Sequence, residues 1–186
     1  MSRLLLIMGD LATGKSTFAG ILSKRYGVNV FCKDTIKEVL GDTIGFANRE
    51  ENLKLSKATM ELMMFQITEF AKIKKPLILE SNFHEKELVR IHKIAKDNGY
   101  QVLTLVLRGD IEILHKRYLH RMNCENRHPV HLTTTMDVFE DFKGYTEWAR
   151  GKQIIGDMIM INANDFSYQD DTKVLSAVDA FMKCGE

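Results

Sequence analysis

The chain has 186 residues, 45% apolar and 27% charged, the balance of a globular protein that builds its own core. A chain of this length buries about 70% of the surface that its unfolded form exposes, so it needs no disulfides or structural metal to fold. Lys and Arg number 26 against 25 Asp and Glu, a formal net charge of +1, which excludes the broad basic footprint of a general polyanion binder. Cys32, Cys124 and Cys184 are odd in number and far apart, the pattern of reduced thiols. The N-terminus opens on an apolar strand without a basic segment before it, and no apolar run is long enough to span a bilayer, so a cytoplasmic protein is expected.

Residues 3–8 form the first expected strand. It runs into Gly9-Asp10-Leu11-Ala12-Thr13-Gly14-Lys15-Ser16, which reads G-x-x-x-x-G-K-S, and a helical stretch follows from Thr17 to a C-cap at Gly27. Residues 28–32 are a short β-branched strand. Asp34 sits where an N-cap would sit on a helix through Ile36, Val39 and Leu40. Residues 41–52 mix glycine with polar residues and read as a loop. Over 53–75, Met60, Met63, Met64, Ile67, Phe70 and Ala71 repeat every three or four residues, a core-facing helix stopped by Pro76. Strand three, 77–79, ends in Glu80-Ser81-Asn82, and a helix over 85–98 is capped by Gly99. Strand four covers 100–107. A helix over 111–122 carries Arg117 and Arg121, and a polar connection over 123–135 holds Arg127, His128 and Pro129. A helix over 136–150, a fifth strand over 157–162 and a closing helix over 172–183 complete the chain.

Short apolar strands alternating with helices mean an α/β domain over residues 1–186, with a five-stranded parallel sheet covered on both faces. Ligands of such sheets bind outside the carboxyl ends of the strands. The glycine loop, Asp34, Glu80-Ser81-Asn82 and Arg108-Gly109-Asp110 all fall there.

The loop points to a nucleoside triphosphate. Its two glycines let backbone amides approach phosphate, and the helix N-terminus favours the anion. The phosphates are expected to lie on the loop, Gly9, Asp10, Leu11, Ala12, Thr13, Gly14, Lys15, Ser16 and Thr17. Lys15 is expected on the β- and γ-phosphates, and the Ser16 hydroxyl on Mg2+. Asp34 is either a general base that takes a proton from an acceptor hydroxyl or a simple helix cap. Lys37, one turn on, either holds an anionic group or is solvated. Glu80 either holds a water on the magnesium or polarises a nucleophile, and Asn82 positions phosphate or substrate. Arg117, Arg121 and Arg127 offer an arginine clamp for the transferring phosphoryl group, carried on a closing segment that excludes water. His128 and His131 lack the partners of a metal set and stay loop residues. Phe139, Phe142, Tyr145 and Trp148 either wall an acceptor site or simply pack on the sheet.

These residues resemble the small P-loop kinases often called AAA-type ATP-binding domains. That group includes the kinase half of bacteriophage polynucleotide kinase, chloramphenicol phosphotransferase and zeta toxins, and more distantly shikimate and gluconate kinases. Gly9 to Ser16 matches their Walker A loop. Lys33-Asp34-Thr35-Ile36-Lys37 resembles their D-x-x-R element, with Lys37 in place of arginine, and Leu79-Glu80-Ser81-Asn82 resembles their strand-three element, with Glu80 in place of aspartate. Arg117, Arg121 and Arg127 resemble the lid, here placed at about 117–135, in which one arginine reaches the phosphates and another packs near adenine. The resemblance implies the sheet order 2-3-1-4-5, ATP and Mg2+ as cofactors, and Lys15, Asp34 and Arg127 as the catalytic set. Asp34, Lys37 and Asn82 would then face the acceptor. The expected activity is an ATP-dependent kinase acting on a small-molecule hydroxyl. The alternatives are a polynucleotide 5′-hydroxyl kinase and an ATP-binding module that works through a protein partner.

Overall fold

The computed structural model describes residues 2–124, 127–133 and 135–183. The elements run β1 (Ser2–Gly9), α1 (Lys15–Tyr26), β2 (Val30–Cys32), α2 (Lys33–Ile44), α3 (Arg49–Lys72), β3 (Leu77–Glu80), α4 (Glu85–Asp97), β4 (Tyr100–Arg108), α5 (Ile111–Cys124), α6 (Phe139–Arg150), β5 (Asp157–Asn162) and α7 (Thr172–Lys183). Two 3-10 turns, Pro129–His131 and Ser167–Gln169, lie between them. The strands form one parallel sheet in the order β2-β3-β1-β4-β5, as the resemblance implies. No helix among the described residues is long and apolar enough to cross a membrane.

Strand alternation sorts the core into two layers. Leu4, Leu6 and Met8 of β1 face Met60, Met63, Met64 and Ile67 of α3 and Leu88 and Ile91 of α4. Leu5 and Ile7 face the other way, against Phe18 and Leu22 of α1 and Val178 of α7. The methionine stripe is therefore core. Phe142 of α6 joins Leu114 and Tyr118 of α5 in a smaller cluster beyond the sheet, and Leu11 and Ala12 of the glycine loop pack on it.

Several element boundaries differ from the sequence expectation. The stretch over 41–52 is mostly helical: α2 runs on to Ile44 and α3 begins at Arg49. Gly41 does not break the helix. It makes room, since a Cβ there would lie 2.4 Å from Val130 Cγ1. Asn48 caps α3 by accepting from the Glu51 amide at 3.0 Å. Asp34 is not a cap either: Cys32 holds that position, and Asp34 is the first-turn acid of α2, where the helix dipole favours a carboxylate. Helix α6 starts at Phe139 instead of Met136, whose amide donates to the Tyr118 hydroxyl at 3.1 Å.

Gly9 leaves β1 with φ 134°, and a Cβ on it would lie 2.0 Å from the Leu107 carbonyl oxygen of β4. Only glycine fits both the dihedral and the space. Gly9→Ala is expected to lower unfolding free energy by about 2–4 kcal/mol, with an unchanged urea m-value. A wild-type urea midpoint would show that the loop can leave β4 without loss.

Candidate active site

The carboxyl ends of β1, β2 and β3 open into a cavity of about 800 Å³. One wall is the loop from Leu11 to Thr17, including Lys15 and Ser16. Asp34 and Lys37 of α2, Glu80, Ser81 and Asn82 after β3, Arg117 and Arg121 of α5, and Arg127 supply the others. The sequence-expected site residues thus converge on one space, with two exceptions from the loop.

Those two are Gly9 and Asp10, which turn toward β4. The Asp10 amide donates to Leu107 O at 2.9 Å. The carboxylate, 2% exposed, accepts from the Gly109 amide at 3.1 Å and from Arg150 of α6 at 2.6 Å (Nη2) and 3.1 Å (Nε). Arg150 also donates to Gly109 O at 2.5 Å. The Asp10 side chain therefore does not face the cavity. It bolts the loop to β4 and α6. No sequence signal pairs two residues 140 apart.

Lys15 is buried beneath the loop. Its Nζ donates to Asp10 O at 2.5 Å and lies 3.5 Å from Thr13 Oγ1. Burial lowers its pKa, and the carboxylates of Glu80, Asp34 and Asp10 oppose that shift. Arg121 adds to the lowering, which places it near the same ammonium. Glu80 accepts from Ser16 Oγ at 2.9 Å. Burial raises its pKa, chiefly opposed by Lys15. The Cys32 thiol, also against Glu80, is pushed up to about 12 by burial. Ser81 Oγ and Asn82 Oδ1 are buried without a hydrogen-bond partner, at the wall where a ligand's polar groups would arrive.

The segment after β5 closes the other side of the loop. Tyr168 OH donates to Thr13 O at 2.7 Å. Arg117 donates to Ala163 O at 2.8 Å and to Asn164 O, and its guanidinium stacks 4.5 Å over the Phe166 ring. Phe166 faces the cavity. Sequence reading missed Phe166 and Tyr168; their position just past the fifth strand end was the available signal.

Of the expected lid, Glu125, Asn126 and Thr134 lie outside the described residues, as does Cys184. The part around Val130 is folded onto α2 and α3. Val130 O accepts from Lys37 Nζ at 3.2 Å and from Asn52 Nδ2 at 2.8 Å. His131 Nε2 lies 2.7 Å from Glu38 Oε1, and His128 Nε2 lies 2.9 Å from Asp42 Oδ1. The two histidines are anchors to α2 and not merely loop residues. The aromatic helix divides its work: Phe142 is core, Phe139 packs on His115, Tyr145 lines the cavity beside Asn82, and Trp148 stays exposed.

The sequence model of the AAA domain family matches residues 5–141, from inside β1 to the start of α6. The chain belongs to the AAA domain family. No curated protein matches this AAA domain sequence. Among solved structures, a Chloroflexus aurantiacus protein provisionally named a kinase is 21% identical, with a TM-score of 0.81 over 97% of this chain and 98% of its own. The tunicamycin resistance protein of Deinococcus radiodurans is 19% identical, with a TM-score of 0.63 over 97% and 95%. A gluconokinase of Sinorhizobium meliloti is 11% identical, with a TM-score of 0.60 over 97% and 94%. At these identities the shared property is the fold, that of the small P-loop kinases.

The bolt at Asp10 has a stability consequence. Arg150→Met leaves a buried carboxylate with one backbone donor and no cation. Unfolding free energy is expected to fall by about 2–3 kcal/mol, measured by urea denaturation near neutral pH. A change within about 0.5 kcal/mol would mean that Gly109 alone satisfies Asp10.

Proposed function

We propose that this AAA domain protein is a kinase that moves the γ-phosphoryl group of ATP to a hydroxyl of a small molecule. The observation that carries the reading is the meeting of Lys15, the Ser16–Glu80 pair and Asp34 around one cavity. A nucleotide-binding module needs the first two. Asp34, with open space beside it, is what an acceptor hydroxyl requires. Fold relatives named gluconokinase and shikimate kinase support a small acceptor.

The geometry supports the following roles. Loop amides and the α1 N-terminus hold the phosphates, and Lys15 exchanges the Asp10 carbonyl for β- and γ-oxygens. The stacked Arg117 and Phe166 offer a platform for the adenine ring. Ser16 and Glu80 present hard oxygen donors that fit Mg2+, with Glu80 acting through a water. When bound, the ion neutralises charge on the β- and γ-phosphates. Asp34 orients the acceptor hydroxyl and takes its proton. A bond forms between the acceptor oxygen and Pγ, the bond from Pγ to the β-bridging oxygen breaks, and ADP leaves. Arg121 and Arg127 balance charge on the transferring oxygens. The segment around Val130, anchored on α2, keeps water from competing for the phosphoryl group. A cytoplasmic location belongs to the same reading.

Asp34→Asn keeps the size of the side chain and removes its charge. Near-normal folding and ATP affinity are expected, with turnover on the identified acceptor reduced on the order of a hundredfold or more. Lys15→Ala is expected to lose transfer while the protein stays folded, because the ammonium acts on the nucleotide and not on the core. The paired readout is ATP titration and transfer of labelled γ-phosphate to a panel of alcohols. Full transfer by either variant would defeat the assignment.

The lid makes a separate expectation. Amide exchange over 127–133 should slow when an ATP analogue and acceptor are added together, and Arg127→Ala should slow transfer more than it weakens nucleotide binding. Exchange that ignores both ligands would remove the lid from the reading.

A further inference from the structure

We propose that the acceptor is an anion: a small hydroxyl compound bearing a carboxylate or phosphate group, which Lys33, His84 and Lys152 hold beside Trp148. This rests on the kinase reading and narrows it to a substrate class.

Lys33 opens α2 next to Asp34, and both line the cavity. His84 precedes α4 and lines it too. Lys152 lies just past α6, in a small recess that shares Asn82 with the main cavity. One carboxylate, Glu87, attracts all three groups, and it is already in use. One of its oxygens accepts the His84 backbone amide at 2.7 Å, which caps α4. The other lies 3.8 Å from Lys33 Nζ, beyond direct hydrogen-bond distance. Lys152 has no ion pair within 4.0 Å among the described residues. It is held instead over the Trp148 ring, with Nζ 4.6 Å from the centroid. Burial lowers the pKa of His84 and of Lys152, the Glu87 carboxylate opposes both shifts, and smaller repulsions, from Lys152 and Lys33 on His84 and from Lys33 on Lys152, add to them.

Two ammonium groups and an imidazole therefore share one committed carboxylate. The natural complement is a second anion, held by charge-assisted hydrogen bonds from the two lysines. Lys33 and Asp34 line the same cavity, so one small molecule can present its anion to Lys33 and its hydroxyl to Asp34. Trp148, 56% exposed, has its ring 6.0 Å from His84 and 5.7 Å from the cavity-lining Tyr145, so it sits against the residues proposed to hold the anion. The buried, unpartnered Asn82 Oδ1 would take a hydrogen bond from a further hydroxyl.

The chain has one tryptophan, so its fluorescence reports from the proposed site. The probes are glycerate, glycerol phosphate and glycerol, titrated at constant ionic strength with and without a non-hydrolysable ATP analogue and Mg2+. Saturable emission changes are expected for one or both anions and none for glycerol. They should persist with the analogue bound. Lys152→Met keeps the aliphatic stem but removes the charge, and should weaken the anion at least tenfold. In the wild-type protein, saturable anion binding without phosphoryl transfer to any alcohol would fail the kinase reading and keep the anion site. Four results overturn the inference. They are equal response to glycerol and the anions, no saturation above a chloride control, a signal abolished by the ATP analogue (which puts the anion on the phosphate loop), or tighter binding of a 5′-hydroxyl oligonucleotide than of either small anion.

Discussion

A buried ammonium needs negative charge nearby, and Lys15 sets that requirement at the centre of the sheet. Its side chain lies under the glycine loop, bonded to Asp10 O at 2.5 Å. Glu80, Asp34 and Asp10 counter the loss of hydration that burial imposes. The loop can hold that cation only because it is itself held. The Asp10 amide registers it on β4, the Asp10 carboxylate ties it to Arg150, and Tyr168 OH grips Thr13 O. The loop is thus fixed to the sheet by its own contacts, and the donors proposed to meet the phosphates are held with it.

Strand order then divides the labour. β1 lies between β3 and β4, so the residues just past each strand arrive on a fixed side of the loop. From β3 comes Glu80, next to Ser16. From β2, one strand further, comes Asp34. From the β4–β5 side come Arg117, Phe166 and Tyr168. The proposed nucleotide and acceptor halves of the cavity fall on opposite sides of β1, and the γ-phosphate would lie at their boundary. Val130 joins the segment over 127–133 to α2 and α3 through Lys37 and Asn52, so the proposed closure would be linked to the proposed acceptor side.

Legibility followed the range of the interaction. The glycine loop is a local pattern, and a parallel sheet writes its strands as short apolar runs, so both could be read directly. The order of the strands came from the resemblance and held. The features that stayed hidden were non-local or context-bound. Gly41 looked like a helix breaker until Val130 filled the space beside it. Asp10 looked like one more loop residue, because its partner Arg150 is distant in sequence. His128 and His131 looked idle without the acids of α2 opposite them. The aromatic residues of α6 carried no label saying which face meets the sheet, and only packing separates buried Phe142 from cavity-lining Tyr145 and exposed Trp148.

The central claim is that the phosphoryl group goes to a hydroxyl and not to water. The most direct measurement is turnover of ATP in oxygen-18 water with a mixture of small hydroxy acids and sugar phosphates, followed by mass spectrometry of every phosphate-bearing product. The account predicts a new phosphate ester whose phosphoryl oxygens carry no water-derived label, with inorganic phosphate as a minor product. Release of the γ-phosphate only as oxygen-18-labelled inorganic phosphate, with no ester formed, would contradict it.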